Sequence, residues 1–211
     1  VTTAAQAAAA ERAGAGRIEL CGPGHDGLTA SPALIRETLA AVRVPVHAMV
    51  RPREGGFVYS PVEVAQMRAE VLAAKAAGAH GVVFGVLTPA LTFDAPVMRD
   101  LITLARPMRV GVHRAFDHSR DPDESLETLL ALGVDVILAA GHAPTALEGV
   151  ETLRRLQAQA GNRCVILAGG GVRGHNVAEI VARAGLREVH ARAMEADVIA
   201  AIAAALVSTS S

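Results

Sequence analysis

The segment AAGAHGVVF (residues 76–84) contains the pattern that decides the fold of this chain. It passes from a helix-like stretch through Gly78 to a run of apolar residues with high strand propensity. Glycine is preferred at the left-handed position that ends a helix, so this order predicts a helix followed at once by a strand. The same order recurs in RAGAGRIEL (12–20), ALGVDVILA (131–139) and RAGLREVHA (183–191).

Three further apolar stretches lie between these segments: VPVHAMV (44–50), RVGVHRA (109–115) and RCVILAG (163–169). The repeating unit is therefore one strand plus one helix, of roughly 28 residues, a length typical of barrels built from such units. Strands that alternate with helices predict right-handed crossover connections and a parallel sheet.

Helix start signals support this division of the chain. Ser31-Pro32 places proline at a first helical position, and Ser60-Pro61-Val62-Glu63 has the sequence of a capping box. The predicted helices are residues 2–13, 32–42, 61–77, 95–105, 122–132, 145–160, 174–184 and 196–207. The predicted strands are residues 17–21, 44–50, 81–86, 109–113, 135–139, 163–168 and 187–192.

This pattern has one more helix than it has strands, and the sequence opens directly in a helix. It predicts an α/β protein with a TIM-like (β/α)8 barrel, formed by residues 1–211 as a single domain. The first strand is largely missing from the sequence, and we expect it to precede Val1. The alternative is a seven-stranded or open doubly wound sheet. A barrel without one strand exposes two parallel edges, which proteins generally avoid.

Composition excludes several classes of protein. The chain has 211 residues, of which 51% are hydrophobic, and its net charge is −1; the first value argues against disorder and the second against nucleic-acid binding. No apolar run reaches the ~18 residues of a membrane span, and two cysteines indicate a reducing compartment rather than a disulfide scaffold. The one lysine, Lys75, falls within a predicted helix, which excludes a Schiff-base mechanism that needs lysine at a strand end.

Residues at the carboxyl ends of the predicted strands are the candidates for function, since the active sites of such barrels lie there. Side chains alternate between the two faces of a strand, and this alternation directs five polar side chains to the inside of the barrel. They are Glu19, Cys21, His47, Arg51 and His113. Buried polar groups need partners, so their convergence predicts a functional site.

The residue types suit acid–base chemistry on an anionic substrate. Glu19 and His113 are candidate acid and base groups, and Asp117 is a candidate to orient His113 or to pair with Arg114. Arg51, Arg53 and Arg114 are candidates to hold an anionic or phosphorylated ligand.

The run Gly169, Gly170 and Gly171 follows one predicted strand and precedes a helix. Loops at this place in barrels often bind phosphate, because glycine lets backbone N–H groups approach an anion. The alternative is a tight turn without a ligand.

Several motifs together resemble the CutC family in order and spacing. They are RIELC (17–21), RPR with a following glycine (51–55), FVYS (57–60), HRAFD (113–117), TALEG (145–149) and AGGGV (168–172). The resemblance covers about Gly14 to Arg192. It implies a TIM-like barrel, a cytoplasmic location, a homodimer and a role in copper homeostasis. It also implies a longer loop between the last strand and the last helix than the short link at Ala193-Met194.

The function expected from this resemblance is Cu(I) binding at the opening of the barrel, and acid–base chemistry on a small anionic or phosphorylated substrate is the alternative. Soft thiolate and thioether ligands favour Cu(I), and imidazole is an acceptable ligand. Cys21 is the candidate thiolate, with His47 and His190 as further ligands and Met49 as a helper. We therefore expect either bound Cu(I) or a small anionic ligand, no organic cofactor, and no nucleic-acid or membrane partner.

Mutation separates these hypotheses. A copper protein depends on Cys21, whereas an enzyme depends on Glu19, Arg51 and His113 and tolerates Cys21→Ser. A third alternative is a scaffold whose charged opening is only structural.

Overall fold

The computed structural model describes residues 1–23, 27–192 and 196–208, in which α-helices alternate with β-strands. The helices are α1 (Ala4–Arg12), α2 (Pro32–Ala41), α3 (Pro61–Ala76), α4 (Ala95–Ala105), α5 (Pro122–Ala131), α6 (Val150–Ala160), α7 (Val177–Ala184) and α8 (Ala196–Ser208). The strands are β1 (Ile18–Leu20), β2 (Val46–Met49), β3 (Gly81–Phe84), β4 (Arg109–Val112), β5 (Val136–Ala139), β6 (Val165–Ala168) and β7 (Glu188–Val189). A 3-10 helix covers Arg114–His118.

All neighbouring strands are parallel, and their order in the sheet is the order of the chain, from β1 to β7. This order confirms the TIM-like fold. It excludes the doubly wound alternative, because the strand order of a doubly wound sheet reverses at its middle.

The sheet curls until its two end strands face each other. Arg17, next to β1, donates to the Glu188 carboxylate of β7 at 2.7 Å, although the two residues are distant in the sequence. Val1 lies beside β1 in the position expected for a first strand. Its N–H donates to Glu19 O at 3.0 Å, and its carbonyl accepts from Cys21 N at 2.9 Å.

The main core lies between the outer face of the sheet and the helices. Ile18 and Leu20 of β1 are buried there, as the predicted alternation requires, while Glu19 between them faces the interior. Good start signals fix the helices that cover this core. The predicted capping box is present at α3, where Ser60 Oγ accepts from Glu63 N and Glu63 accepts from Ser60 N.

Some predicted element boundaries were wrong. Helix α6 begins at Val150 rather than at residue 145, because Thr145 Oγ1 accepts from Glu148 N in a preceding turn. Helix α7 begins at Val177 rather than at residue 174, because Asn176 Oδ1 accepts from Arg173 N and forms a turn there. The 3-10 helix after β4 was not predicted. The expectation about the loop at residues 193–195 lies outside the described residues.

No helix among residues 1–23, 27–192 and 196–208 has both the length and the apolarity needed to cross a membrane.

Candidate functional site

The inside of the curled sheet encloses a cavity of about 1080 Å³. Its wall combines inward-facing strand residues with the loops that follow the strands, where the sequence placed the site. The charged residues on the described part of this wall are mostly arginines. They are Arg17, Arg51, Arg114, Arg173 and Arg192, together with Glu19 and Glu188. The excess of arginine over glutamate on the described wall favours an anionic ligand.

His113 is buried in this wall, directly after β4. Its Nδ1 accepts a hydrogen bond from Ala115 N at 3.2 Å, so the proton of the neutral ring is assigned to Nε2. Burial, and then the charge of Arg51, lower the pKa of His113 to about 3. Nε2 is buried and has no hydrogen-bond partner among the described residues. His113 is therefore a neutral N–H donor in the cavity wall, with its donor unused.

Arg51 reaches the same region from the end of β2. Its Nη2 donates to Gly55 O at 2.7 Å, and its guanidinium lies 5.0 Å from the centre of the Phe57 ring. Phe57 also neighbours two histidine rings, those of His113 and His118, with 4.8 Å and 5.3 Å between ring centres. Phe57 thus packs against both Arg51 and His113. The sequence analysis did not single out Phe57, although it lies in the FVYS motif.

Asp117 forms no hydrogen bond with His113 in the described structure. Its buried carboxylate accepts hydrogen bonds from two backbone groups, Ala140 N to Oδ2 and His142 N to Oδ1, both at 2.9 Å. It also accepts from Arg114 Nε. Of the two roles predicted for Asp117, the structure shows the pairing with Arg114. Asp117 is therefore a positioning residue, which ties the 3-10 helix to the loop after β5 and orients Arg114.

Arg53 does not line the cavity. Its Nε binds Glu63, and its remaining N–H groups donate to the carbonyls of Glu54, Gly56 and Val58. These contacts hold the loop between β2 and α3, so the ligand-binding role predicted for Arg53 has no support in its position.

Glu19 and His190 approach each other across the opening between the end strands. Glu19 Oε1 lies 4.0 Å from His190 Nε2, and both side chains are partly exposed to the cavity. The sequence analysis paired Glu19 with His113 and assigned His190 to metal binding. The pairing with His190 depends on how far the sheet curls, which no local sequence pattern indicates.

Cys21 and Met49 bring two sulfur side chains together. They pack with Val83 inside the barrel, and the Cys21 thiol is free. A Cβ atom at Gly27 would lie 3.2 Å from Cys21 Sγ and 3.9 Å from Met49 Cε. Burial raises the pKa of Cys21 to about 12, so the group is a thiol at neutral pH.

His47 lies deeper in the barrel. It pairs in register with Glu19 on one side and Gly81 on the other, and its ring occupies the space that a Cβ atom at Gly81 would fill. Burial lowers its pKa to about 4. Within the described part of the chain, no three His, Cys, Asp or Glu side chains are close enough to hold a metal ion together. The proposed ligands Cys21, His47 and His190 therefore do not form a three-ligand group there.

Gly169, Gly170 and Gly171 all line the cavity, as predicted. A Cβ atom at Gly169 would lie 3.4 Å from His190 Cβ, and one at Gly170 would lie 2.6 Å from Arg114 Nη1. The glycine loop is thus close to both His190 and Arg114, and a side chain there would meet them.

Comparison with known proteins identifies relatives over most of this chain. The sequence profile of the CutC family matches residues 1–195. The copper homeostasis protein cutC homologue of Mus musculus is 43% identical over 185 residues, which are 87% of this chain and 68% of the relative. The homologue of Homo sapiens is 42% identical over the same shares of the two chains. A family protein CutC of Bacteroides thetaiotaomicron is 42% identical over 191 residues, 89% of this chain and 76% of the relative.

Solved structures agree with the sequence relatives. The crystal structure of the CutC protein of Streptococcus agalactiae matches with a TM-score of 0.78 and 31% identity, over 82% of this chain and 87% of that chain. Thiamine phosphate pyrophosphorylase of Pyrococcus furiosus matches with a TM-score of 0.67 and 16% identity, over 98% of this chain and 90% of that chain. The second match shows similarity of fold alone.

Proposed function

This chain belongs to the CutC family, and from the geometry of its cavity we propose that it binds a small anionic substrate inside the barrel and catalyses proton transfer on it. The observation that most supports this proposal is the unused N–H donor of His113 in an arginine-rich cavity wall. A buried donor without a partner costs free energy in the unliganded protein, and a bound acceptor removes that cost.

The residues suit distinct roles in such a reaction. The Glu19 carboxylate is the proposed base, with His190 beside it as the group that shares or relays the proton. Neutral His113 donates a hydrogen bond to the substrate oxygen on which charge develops. Arg51 supplies positive charge near that oxygen and, by its charge, helps to keep His113 neutral.

Isotope exchange tests the proposal without knowledge of the final product. Small carbonyl compounds with either a carboxylate or a phosphate group are incubated with the protein in D2O, and loss of C–H signals is followed by NMR. We expect exchange with at least one compound, abolished by Glu19→Gln and reduced about 10²–10³-fold by His113→Gln. The matched control His175→Gln changes an exposed histidine and leaves exchange intact. If these compounds bind to the wild-type protein but none of them exchanges its C–H hydrogens, the catalytic role is contradicted.

A second candidate function is Cu(I) binding, favoured by the contact between Cys21 and Met49. Thiolate and thioether sulfur form a soft pair that suits Cu(I), which accepts low coordination numbers. Because the thiol has a pKa of about 12, Cu(I) binding at neutral pH releases its proton. At pH values below that pKa, the apparent affinity therefore rises about tenfold for each unit by which the pH is increased.

Anaerobic competition titration with Cu(I) tests this second function. Cys21→Ser is expected to abolish binding and Met49→Leu to weaken it, whereas Cys164→Ser, at the other buried free cysteine, has no effect. Binding that is unchanged in Cys21→Ser, or independent of pH, excludes this pair as the copper site.

A further inference from the structure

Hydrogen bonding in the loop from Gly170 to Val172 is strongly one-sided. All three carbonyl groups are used. Gly170 O accepts from Ala146 N at 2.9 Å, Gly171 O accepts from Asn176 Nδ2 at 2.9 Å, and Val172 O accepts from Arg173 Nη1 at 2.7 Å. The three backbone N–H groups of the same residues donate to no other residue that the structure describes.

The flanking N–H groups behave differently. Gly169 N donates to Ala139 O at 2.9 Å, and Arg173 N donates to Asn176 Oδ1 at 2.8 Å. The unused donors are therefore three successive peptides with satisfied neighbours on both sides. Successive N–H groups of this kind bind anions, since their dipoles add at one point.

Backbone conformation explains why glycine occupies the loop. Gly170 has φ of +105° and Gly171 has φ of +71°, values that other residues rarely adopt. Because Gly170 has no Cβ atom, the Arg114 guanidinium rests directly on the loop, with Nη1 2.6 Å from the position that a Cβ atom would occupy.

Among the described residues, Arg114 forms side-chain hydrogen bonds only through the Nε group of its guanidinium. Its Nε binds the buried carboxylate of Asp117, which two backbone N–H groups fix in turn. Its Nη1 and Nη2 groups donate to no described residue, and the side chain is 34% exposed. The guanidinium therefore presents free N–H groups next to the free N–H groups of the loop.

We infer that Gly170, Gly171, Val172 and Arg114 form the binding site for a phosphate monoester group of the substrate. This inference rests on the proposed function, and it names the chemical class of the anion. A phosphate dianion offers three terminal oxygens as strong acceptors, which matches three peptide donors and a guanidinium better than the two oxygens of a carboxylate do. The Glu19–His190 pair lies near the same loop, because His190 N donates to Ala168 O at 2.7 Å, two residues before Gly170. A substrate held by its phosphate thus places its other end near the proposed base.

Titration of the full ¹⁵N-labelled chain with inorganic phosphate tests the site. We expect saturable shifts of the Gly170, Gly171 and Val172 amide signals with phosphate, and much smaller shifts with acetate at equal concentration. Arg114→Gln is expected to raise the apparent Kd about tenfold, since a charge-assisted hydrogen bond is lost. The matched control Arg120→Gln removes an exposed arginine that pairs with Glu124, and leaves the Kd unchanged.

Each other outcome overturns a stated part of the argument. If the loop amides do not shift with phosphate while acetate shifts the His113 ring signals, the phosphate site is wrong and the anion-binding cavity stands. If phosphate and acetate shift the loop amides equally, the site does not select phosphate. If no anion shifts any signal of the cavity wall, both the site and the proposed function fail.

Discussion

His47 and His113 are both buried inside the barrel, and burial lowers their pKa values to about 4 and about 3. An ordinary histidine titrates near pH 6.5, so these two remain neutral over the whole physiological range. For His113 this state is useful, because a neutral ring with its proton on Nε2 polarises a substrate oxygen without carrying charge itself. The neutral state of each histidine thus follows mainly from its own burial, which removes the water that would stabilise the charged ring.

Stability is expected to depend on pH in a direction that these pKa values fix. The unfolded chain takes up protons on His47 and His113 as pH falls through 6.5, whereas the folded chain does so only near pH 3 to 4. The free energy of unfolding therefore decreases as pH falls from about 6.5 towards 4. Urea denaturation at several pH values measures this slope, which is smaller in His113→Gln and unchanged in His175→Gln. An NMR titration that gives folded His113 a pKa near 6.5 contradicts the argument.

Among the structural elements, the 3-10 helix Arg114–His118 does most to organise the site. It begins where His113 Nδ1 accepts from Ala115 N, and it ends where Ser119 N donates to Phe116 O. Asp117 within it binds the loop after β5 and orients Arg114. One short element thus positions the neutral donor and the phosphate-binding guanidinium on adjacent residues.

Asp117→Asn is expected to loosen this element. The change removes the charge that three N–H groups share at a buried position, and we expect a loss of about 1–3 kcal/mol in the free energy of unfolding. The melting temperature falls by about 2–4 °C for each kcal/mol in a chain of this size. Asp100→Asn is the control, because its carboxylate forms an exposed ion pair with Arg68 whose loss costs at most about 1 kcal/mol. Equal effects of the two variants contradict the role given to Asp117.

At the scale of the whole molecule, the contact between the two end strands decides the shape of the cavity. Two side-chain contacts connect the end strands and the residues next to them. One is the Arg17–Glu188 ion pair, and the other is the contact of Glu19 with His190. Both contacts link the first third of the chain to the last strand or to the residue that follows it. The site therefore depends on complete curling of the sheet, and not on any single βα unit.

Glu188→Gln tests the importance of this contact. An ion pair with this exposure is worth less than about 1 kcal/mol, so global stability changes little. Local opening is expected to increase, and hydrogen–deuterium exchange should become faster in β1 and β7 but not in β4. Glu151→Gln, which removes an exposed carboxylate from α6, serves as control. Unchanged exchange in β1 and β7 shows that other contacts hold the end strands together.

Two expectations about the whole molecule remain predictions, namely the homodimer and the cytoplasmic location. Light scattering at micromolar concentration measures the first, and we expect a mass twice that of the chain.

The sequence by itself determined the order and type of the elements, because their signals are local. A glycine after five of the helices (α1, α3, α5, α6 and α7), a proline or a capping residue at the start of α1 to α5, and alternation along the strands act within a few residues. Alternation was also enough to predict that Glu19, Cys21, His47, Arg51 and His113 face the interior.

Only the tertiary structure decided which of these inward side chains meet. Alternation determines on which face of the sheet a side chain lies. The height of that residue along the barrel axis depends on strand register and on the curl of the sheet. These long-range features placed His190 beside Glu19 and bound Asp117 to the loop after β5. Arg53 differs, because its contacts lie within ten residues and hold its own loop. The unused donors of Gly170–Val172 likewise became visible only once every partner of the loop was known, since satisfaction of hydrogen bonds is a property of the folded chain.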